Sequence, residues 1–118
     1  MDADGCLFCR IVKGEIPSQR VYEDEEIYAF KDIHPIRPVH VLVIPKRHIA
    51  SLADARETDR AVLGRILNVA NRLAVENGSS DGFRLIINTG RVGQQEVRHL
   101  HAHILGGPTP VGPMLRSE

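Results

Sequence analysis

The chain has 118 residues, 42% of them hydrophobic and 25% charged, which suits one domain with its own core. Its 15 Lys and Arg residues balance 15 Asp and Glu residues, and this neutrality argues against a nonspecific nucleic-acid or acidic-membrane binder. The longest apolar run, 41–44, falls far short of the roughly 20 residues that span a membrane. The acidic N-terminus lacks the pattern of a signal peptide. We therefore expect a single cytoplasmic domain over residues 1–118.

The first half of the chain predicts one short helix and three strands. Apolar residues at helical spacing predict a helix over Leu7–Val12 that ends before Gly14. Two short strands are predicted at 19–23 and 26–32, joined by an acidic turn. A third strand is predicted at 39–44, where β-branched residues are frequent and a proline follows.

The second half predicts a long helix followed by two strands. Apolar residues recur on one face between residues 58 and 77, with Thr58 as the expected N-cap and Gly78 as the stop. Strands are predicted at 83–88 and 97–105, separated by a polar loop. Short connections among the strands favour antiparallel pairing, so the expected class is α+β.

Three of the six histidines alternate along the last predicted strand. Because alternate side chains share one face of a strand, His99, His101 and His103 should project together. Such a face is either a solvated polar surface, a metal-binding cluster, or a nucleophile with acid–base groups. The preceding loop has two glycines and amide side chains, which suit the oxygens of a phosphoryl group and favour the third interpretation.

The order of these motifs resembles the histidine triad (HIT) superfamily, and its Hint branch of nucleoside phosphoramidate hydrolases in particular. Asn88-Thr89-Gly90, Gly93, Gln95-Glu96-Val97, His-x-His-x-His and Leu105-Gly106-Gly107 carry the resemblance. Similar segments occur at 14–18, 29–33, 43–49 and 112–115. The sequence departs from the family at Gln94, where a glycine is usual, and at Arg98, where bacterial members often have an aromatic residue.

The resemblance implies a HIT-like fold, with a bent antiparallel sheet of about five strands, one long helix and one short helix. It implies that His101 attacks the α-phosphorus of a nucleotide and that His103 contacts a phosphate oxygen and helps to protonate the leaving amine. Asp32 would bind the ribose, and Asn88, Gln95 and Val97 would hold phosphate or leaving-group atoms. A purine slot would be formed by Leu7, Phe8, Ile11, Phe30 and Ile33, although plain core packing explains each of these five equally well.

Cys6 and Cys9 form a C-x-x-C pair, which is compatible with a redox pair, two inert thiols or half of a metal site. The resemblance favours structural zinc, because family members with this pair also use the histidine after Pro-Lys-Arg and the first triad histidine. The implied ligands here are Cys6, Cys9, His48 and His99, a closed Cys2His2 set. The other two histidines, His40 and His34, are expected to be structural and solvated, respectively.

The expected function is hydrolysis of purine nucleoside 5′-phosphoramidates, with aminoacyl-adenylates as related substrates. The alternatives are a diadenosine polyphosphate hydrolase or phosphorylase, and a nucleotide-binding regulatory module with little turnover. The resemblance also implies a homodimer that pairs through the long helix and the strand after it. No nucleic-acid or membrane partner is expected.

Overall fold

A computed structural model describes residues 5–113 of the chain. The helices are α1 (Leu7–Val12) and α2 (Arg60–Glu76), and the strands are β1 (Arg20–Glu23), β2 (Ile27–Lys31), β3 (Val39–Pro45), β4 (Arg84–Ile87) and β5 (Ala102–Gly106). The five strands form one antiparallel sheet in the order β1-β2-β3-β5-β4. The α+β class and the number of strands and helices are confirmed. Met114 and Leu115 of the C-terminal resemblance lie outside the described residues.

Alternation along the strands divides the interior into two apolar clusters, one on each face of the sheet. Val39, Val41 and Val43 of β3 lie in the cluster that packs against α2. Leu42 and Ile44 of the same strand lie in the cluster that packs against α1. The central strand β3 is buried along its whole length because helices cover both of its faces.

The acidic turn between β1 and β2 is confirmed as a hairpin. The Asp24 carboxylate accepts hydrogen bonds from the backbone N–H groups of Glu26 and Ile27, and the Asp24 N–H donates to the Ile27 carbonyl. An aspartate that binds the backbone ahead of it is a common way to close a tight turn.

Two predicted boundaries are wrong by two residues or more. The long helix begins at Arg60 rather than Thr58, because a 3-10 turn over Glu57–Asp59 precedes it and the Asp59 carboxylate accepts the Arg56 N–H. The last strand begins at Ala102 rather than Val97. Before Ala102 the backbone leaves the sheet, and the Leu100 N–H donates to the Ile49 carbonyl at 2.7 Å.

The described residues contain no helix that is both long enough and apolar enough to cross a membrane.

Candidate functional site

Four side chains converge where the N-terminus of α1 meets the segment that precedes β5. Cys6 caps α1, and Cys9 lies one turn later, so both thiols face the same side. Cys6 Sγ lies 3.3 Å from His99 Nδ1, and Cys9 Sγ lies 3.4 Å from both His99 Nδ1 and His48 Nδ1. The two imidazole Nδ1 atoms are 3.3 Å apart. We call Cys6, Cys9, His48 and His99 the Cys/His cluster.

The chemistry of the Cys/His cluster fits a tetrahedral zinc ion. Zn–N bonds of about 2.0–2.1 Å and Zn–S bonds of about 2.3 Å place tetrahedral donors about 3.3–3.8 Å apart, close to the spacing observed here. His99 Nε2 lies 2.7 Å from the Pro45 carbonyl and must donate to it, so the Nδ1 lone pair faces the thiols. The four residues predicted as ligands are therefore brought together.

Three other histidine rings lie next to one another on the same face of the sheet, and two of them are hydrogen-bonded to each other. The Ile36 N–H donates to His40 Nδ1 at 3.3 Å, which places the proton of a neutral His40 on Nε2. His40 Nε2 lies 3.0 Å from His103 Nδ1 and donates to it, so the His103 proton is on Nε2. We call His40, His101 and His103 the histidine row.

His101 completes the row with the opposite tautomer. Its Nδ1 lies 2.8 Å from the His99 carbonyl oxygen, which can only accept a hydrogen bond. Nδ1 must therefore carry the proton, and Nε2 keeps its lone pair. The ring centroids of His101 and His103 are 5.0 Å apart, so a ring with a free Nε2 lone pair neighbours a ring with an Nε2–H.

Burial keeps most of the row neutral. Burial is the main cause that lowers the pKa of His103 to about 4; the neighbouring His101 and His40 act in the same direction, and Asp32 opposes them. Burial also lowers the pKa of His40, although the Asp32 carboxylate 3.4 Å away acts in the opposite direction. A neutral imidazole is the form that can act as a nucleophile or pass a proton.

The loop between β4 and His99 is held in shape by the side chain of Gln95. Its carbonyl oxygen accepts the Gly90 N–H at 3.0 Å, and its NH2 group donates to the carbonyls of Ala50 and Val97 at 2.7 and 2.9 Å. Both amide donors of Gln95 are thus engaged with backbone. Gly93 passes so close to Thr89 that a Cβ atom would lie 2.7 Å from its backbone. The loop is therefore a fixed turn.

Comparison with known proteins agrees with this geometry. The family described as "Scavenger mRNA decapping enzyme C-term binding" matches residues 5–114. A solved structure of a histidine triad protein from Clostridium difficile superposes with a TM-score of 0.88 at 45% identity, covering 96% of this chain and 99% of that one. The chain belongs to the histidine triad superfamily.

Two curated relatives add to this assignment. The purine nucleoside phosphoramidase of Escherichia coli K12 is 46% identical over 114 residues, which is 96% of this chain and 95% of the relative. The 14 kDa zinc-binding protein of Zea mays is 46% identical over 109 residues, which is 91% of this chain and 85% of the relative. The histidine triad family is thus matched over almost the full length of the chain.

The structure brings part of the predicted apolar slot of this histidine triad protein together. Phe8, Ile11 and Phe30 are buried in the cluster beneath α1, and the Phe8 and Phe30 rings meet edge to face at 5.5 Å. Leu7 and Ile33 instead remain exposed, at 45% and 80%. The two exposed residues are available to a ligand without rearrangement of the core.

The polar residues predicted for nucleotide binding are spread around the triad. Asp32 lies beside His40, and its other carboxylate oxygen accepts the His34 N–H. Asn88 directly follows Ile87, and Ile87 pairs with Ala102 at the start of β5. Because the two strands are antiparallel, Asn88 lies at the same end of this pair as His101. Val97 is half-buried, and its carbonyl accepts a hydrogen bond from Gln95. A cleft of about 590 Å³ opens beside Asp32 and Ile33.

The prediction that all three triad histidines project from one strand is wrong. Only His103 lies on β5, because residues 97–101 leave the sheet, and the His99 ring is fully buried in the Cys/His cluster. His40 is buried, as expected for a structural residue, and its ring also contacts His103. The alternation of His40 with inward-facing valines indicated its face of β3 but not this partner. The exposed position of His34 is confirmed.

Proposed function

We propose that this chain is a cytoplasmic hydrolase of purine nucleoside 5′-phosphoramidates, acting through a covalent nucleotidyl-histidine. The observation that carries the proposal is the tautomer of His101, whose Nδ1–H is fixed by the His99 carbonyl while Nε2 keeps its lone pair. The 46% identity to a purine nucleoside phosphoramidase over almost the whole chain supports the same reaction.

In the first step, His101 Nε2 forms a bond to the α-phosphorus as the phosphorus–nitrogen bond of the substrate breaks. The leaving amine needs one proton, and in this proposal His103 supplies it from Nε2. Burial keeps His103 neutral at rest, but an anionic phosphate beside the ring stabilises its protonated form and draws a proton onto it from solution. The amine then departs neutral and His103 is neutral again.

In the second step, water attacks the phosphorus of the nucleotidyl-His101. The bond between phosphorus and Nε2 breaks, the nucleoside monophosphate leaves, and a proton of the water passes to His103. His40 holds the ring of neutral His103 through its hydrogen bond to Nδ1. After hydrolysis, His103 releases the extra proton to solution, and both histidines return to the states that meet the next substrate.

The remaining predicted residues bind the nucleotide in this proposal. Asp32 accepts the ribose hydroxyls, and the purine lies against the slot formed by Leu7, Phe8, Ile11, Phe30 and Ile33. Asn88, Gln95 and Val97 serve the phosphate and leaving group, with Gln95 contributing mainly the shape of the loop because its amide donors are engaged.

Zinc held by Cys6, Cys9, His48 and His99 is part of the proposal. The spacing of the four donors and the name of the maize relative support it. When bound, the ion supplies a structural cross-link between α1 and the two segments that carry the histidine ligands. It leaves His101 and His103 outside the coordination sphere for chemistry.

A homodimer is also proposed, formed through α2 and β4. The strand β4 is at the edge of the sheet, and α2 exposes Leu67 and Val75. An open strand edge next to apolar side chains favours pairing with another copy. Light scattering should give twice the chain mass of 13.1 kDa, and a particle of 13.1 kDa would contradict the dimer.

The test of the reaction is steady-state hydrolysis of adenosine 5′-phosphoramidate by the wild type and by His101→Ala. We expect turnover in the wild type and a loss of at least about a thousandfold in the variant, because the covalent route needs its nucleophile. AMP affinity of both proteins is measured in parallel as the control for folding.

Two results would contradict the proposal. Turnover of a diadenosine polyphosphate in preference to the phosphoramidate would indicate the other hydrolase class of the superfamily. Tight binding of AMP without turnover of either substrate would indicate a nucleotide-binding regulatory module.

A further inference from the structure

We propose that the Cys/His cluster positions the nucleotide site, so that zinc binding and nucleotide binding strengthen each other. The inference builds on the proposed function, because it takes the slot beneath α1 as the purine site. It adds that the bound ion raises the affinity for the nucleotide as well as the stability of the fold.

The first connection runs through α1. This helix has only six residues, and helices of that length have little stability of their own in water. Its position therefore depends on tertiary contacts, which are the packing of Phe8 and Ile11 and the two thiols in the cluster. Because Leu7 and Phe8 lie between Cys6 and Cys9 in sequence, any ion that fixes the thiols also fixes these side chains.

The second connection runs through His99. Its side chain belongs to the Cys/His cluster, while its backbone carbonyl accepts the Nδ1–H of His101 at 2.8 Å. The ring of Phe8 contacts the rings of both His99 and His101, at centroid distances of 5.9 and 5.2 Å. Movement of the unligated His99 would thus shift both the carbonyl that holds the nucleophile and the wall of the slot.

The coupling between zinc binding and nucleotide binding is reciprocal. If only part of the metal-free population holds α1 in place, the apparent nucleotide affinity falls by that fraction. Linkage then requires that nucleotide strengthens zinc binding by the same factor. We expect a factor of about ten or more, within the range of about 5–150-fold that is common for coupled sites.

The experiment measures binding and needs no turnover. AMP and adenosine are titrated calorimetrically into zinc-loaded wild type, into the same protein after chelation, and into the chelated protein after zinc is restored. Zinc affinity is measured by competition with a chromophoric chelator, with and without saturating adenosine. Adenosine lacks a phosphate that could itself bind the ion, so its response reports on the slot.

Two variants complete the design. Cys6→Ser with Cys9→Ser should bind AMP as weakly as the chelated wild type and should not respond to zinc. Tyr22→Phe is the matched control for general destabilisation, because it removes hydrogen bonds to Asp24 and Arg65 on the α2 side of the sheet. It should keep the full zinc dependence of AMP binding. If the double variant does not fold, the chelated and restored wild type still decides the question.

The outcomes are distinct. The inference is supported if chelation weakens the binding of both AMP and adenosine and zinc restores it. Adenosine should then also strengthen the binding of zinc. Equal affinities with and without zinc overturn the inference and leave the proposed function intact. Failure of the purified protein to bind zinc also overturns it. Failure of the zinc-loaded protein to bind AMP at all overturns the proposed function and the inference with it.

Discussion

The Cys/His cluster and the histidine row use the same side chain for opposite purposes. In the cluster, the Nδ1 atoms of His48 and His99 converge with two thiols on one point, which is the arrangement a metal requires. In the row, His40 accepts a backbone N–H and donates to His103, whereas His101 donates to a backbone carbonyl, so the rings hold their protons on different nitrogens. The role of a histidine therefore depends on the partner of one ring nitrogen. If that nitrogen donates to a backbone carbonyl, the other nitrogen keeps its lone pair. If it accepts a backbone N–H, the other nitrogen carries the proton.

His99 belongs to both regions. Its side chain is part of the cluster, and its carbonyl fixes the tautomer of His101 in the row. The two regions can be separated experimentally by changes that act on one of them alone.

Zinc should stabilise the wild type and leave Cys6→Ser almost unaffected. At free zinc about a thousandfold above its dissociation constant, the gain in unfolding free energy is about 4 kcal/mol. Thermal melts of the chelated and zinc-loaded proteins would show it as a large rise in Tm for the wild type only. Equal responses of the two proteins would show that the ion binds elsewhere.

His40→Ala should slow turnover by about tenfold, because the His103 ring loses the hydrogen bond that holds it and fixes its proton on Nε2. The loss should appear in kcat, with little change in AMP affinity. His40→Gln keeps an N–H donor and should recover part of the rate. Zinc affinity serves as the control and should not change, since His40 lies outside the Cys/His cluster.

The pH dependence of stability should reveal the depressed pKa of His103. The folded protein binds this proton only near pH 4, whereas the unfolded chain binds it near the ordinary value of 6.5. Stability from this group is therefore complete above pH 6.5 and falls as the pH drops from 6.5 to 4. Urea unfolding of chelated wild type and of chelated His103→Asn across this pH range would test this assignment. The free energy of unfolding should decline less steeply with falling pH in the variant. Parallel curves would contradict the assignment.

Gln94→Gly should raise stability slightly. Gln94 has a φ of 58°, and it is the one non-glycine residue with positive φ among residues 5–113. Because a side chain is unfavourable in that conformation, glycine should gain about 0.5–1 kcal/mol after its greater unfolded-state entropy is subtracted. Glu96→Gly, at an exposed position of the same loop, is the matched control and should lose stability. A loss in both variants would show that the Gln94 side chain makes a stabilising contact.

The sequence predicted the elements whose signals are local and periodic. The apolar face of α2, the β-branched run of β3 and the turn at Asp24 were each readable from a few neighbouring residues. Leu100, Ala102 and Ile104, which alternate with the triad histidines, lie in the core beneath α2.

The missed features depend on contacts between distant segments. Residues 97–101 have the pattern of a strand, but the hydrogen bond from Leu100 to Ile49 and the burial of His99 with Cys6 draw the backbone out of the sheet. The contact of His40 with His103 arises from the pairing of β3 with β5, a register that no local pattern specifies. The approach of the Cys/His donors was foreseen through the family resemblance, and spacing alone had left three interpretations open.

The most direct test of the division between the two regions is the tautomeric state of each histidine in the zinc-loaded protein. Long-range proton–nitrogen correlation NMR distinguishes a ring protonated on Nδ1 from one protonated on Nε2. We predict that His101 carries its proton on Nδ1, while His40 and His103 carry theirs on Nε2. A proton on Nε2 of His101 would remove the lone pair from the proposed nucleophile and would contradict the assignment of His101.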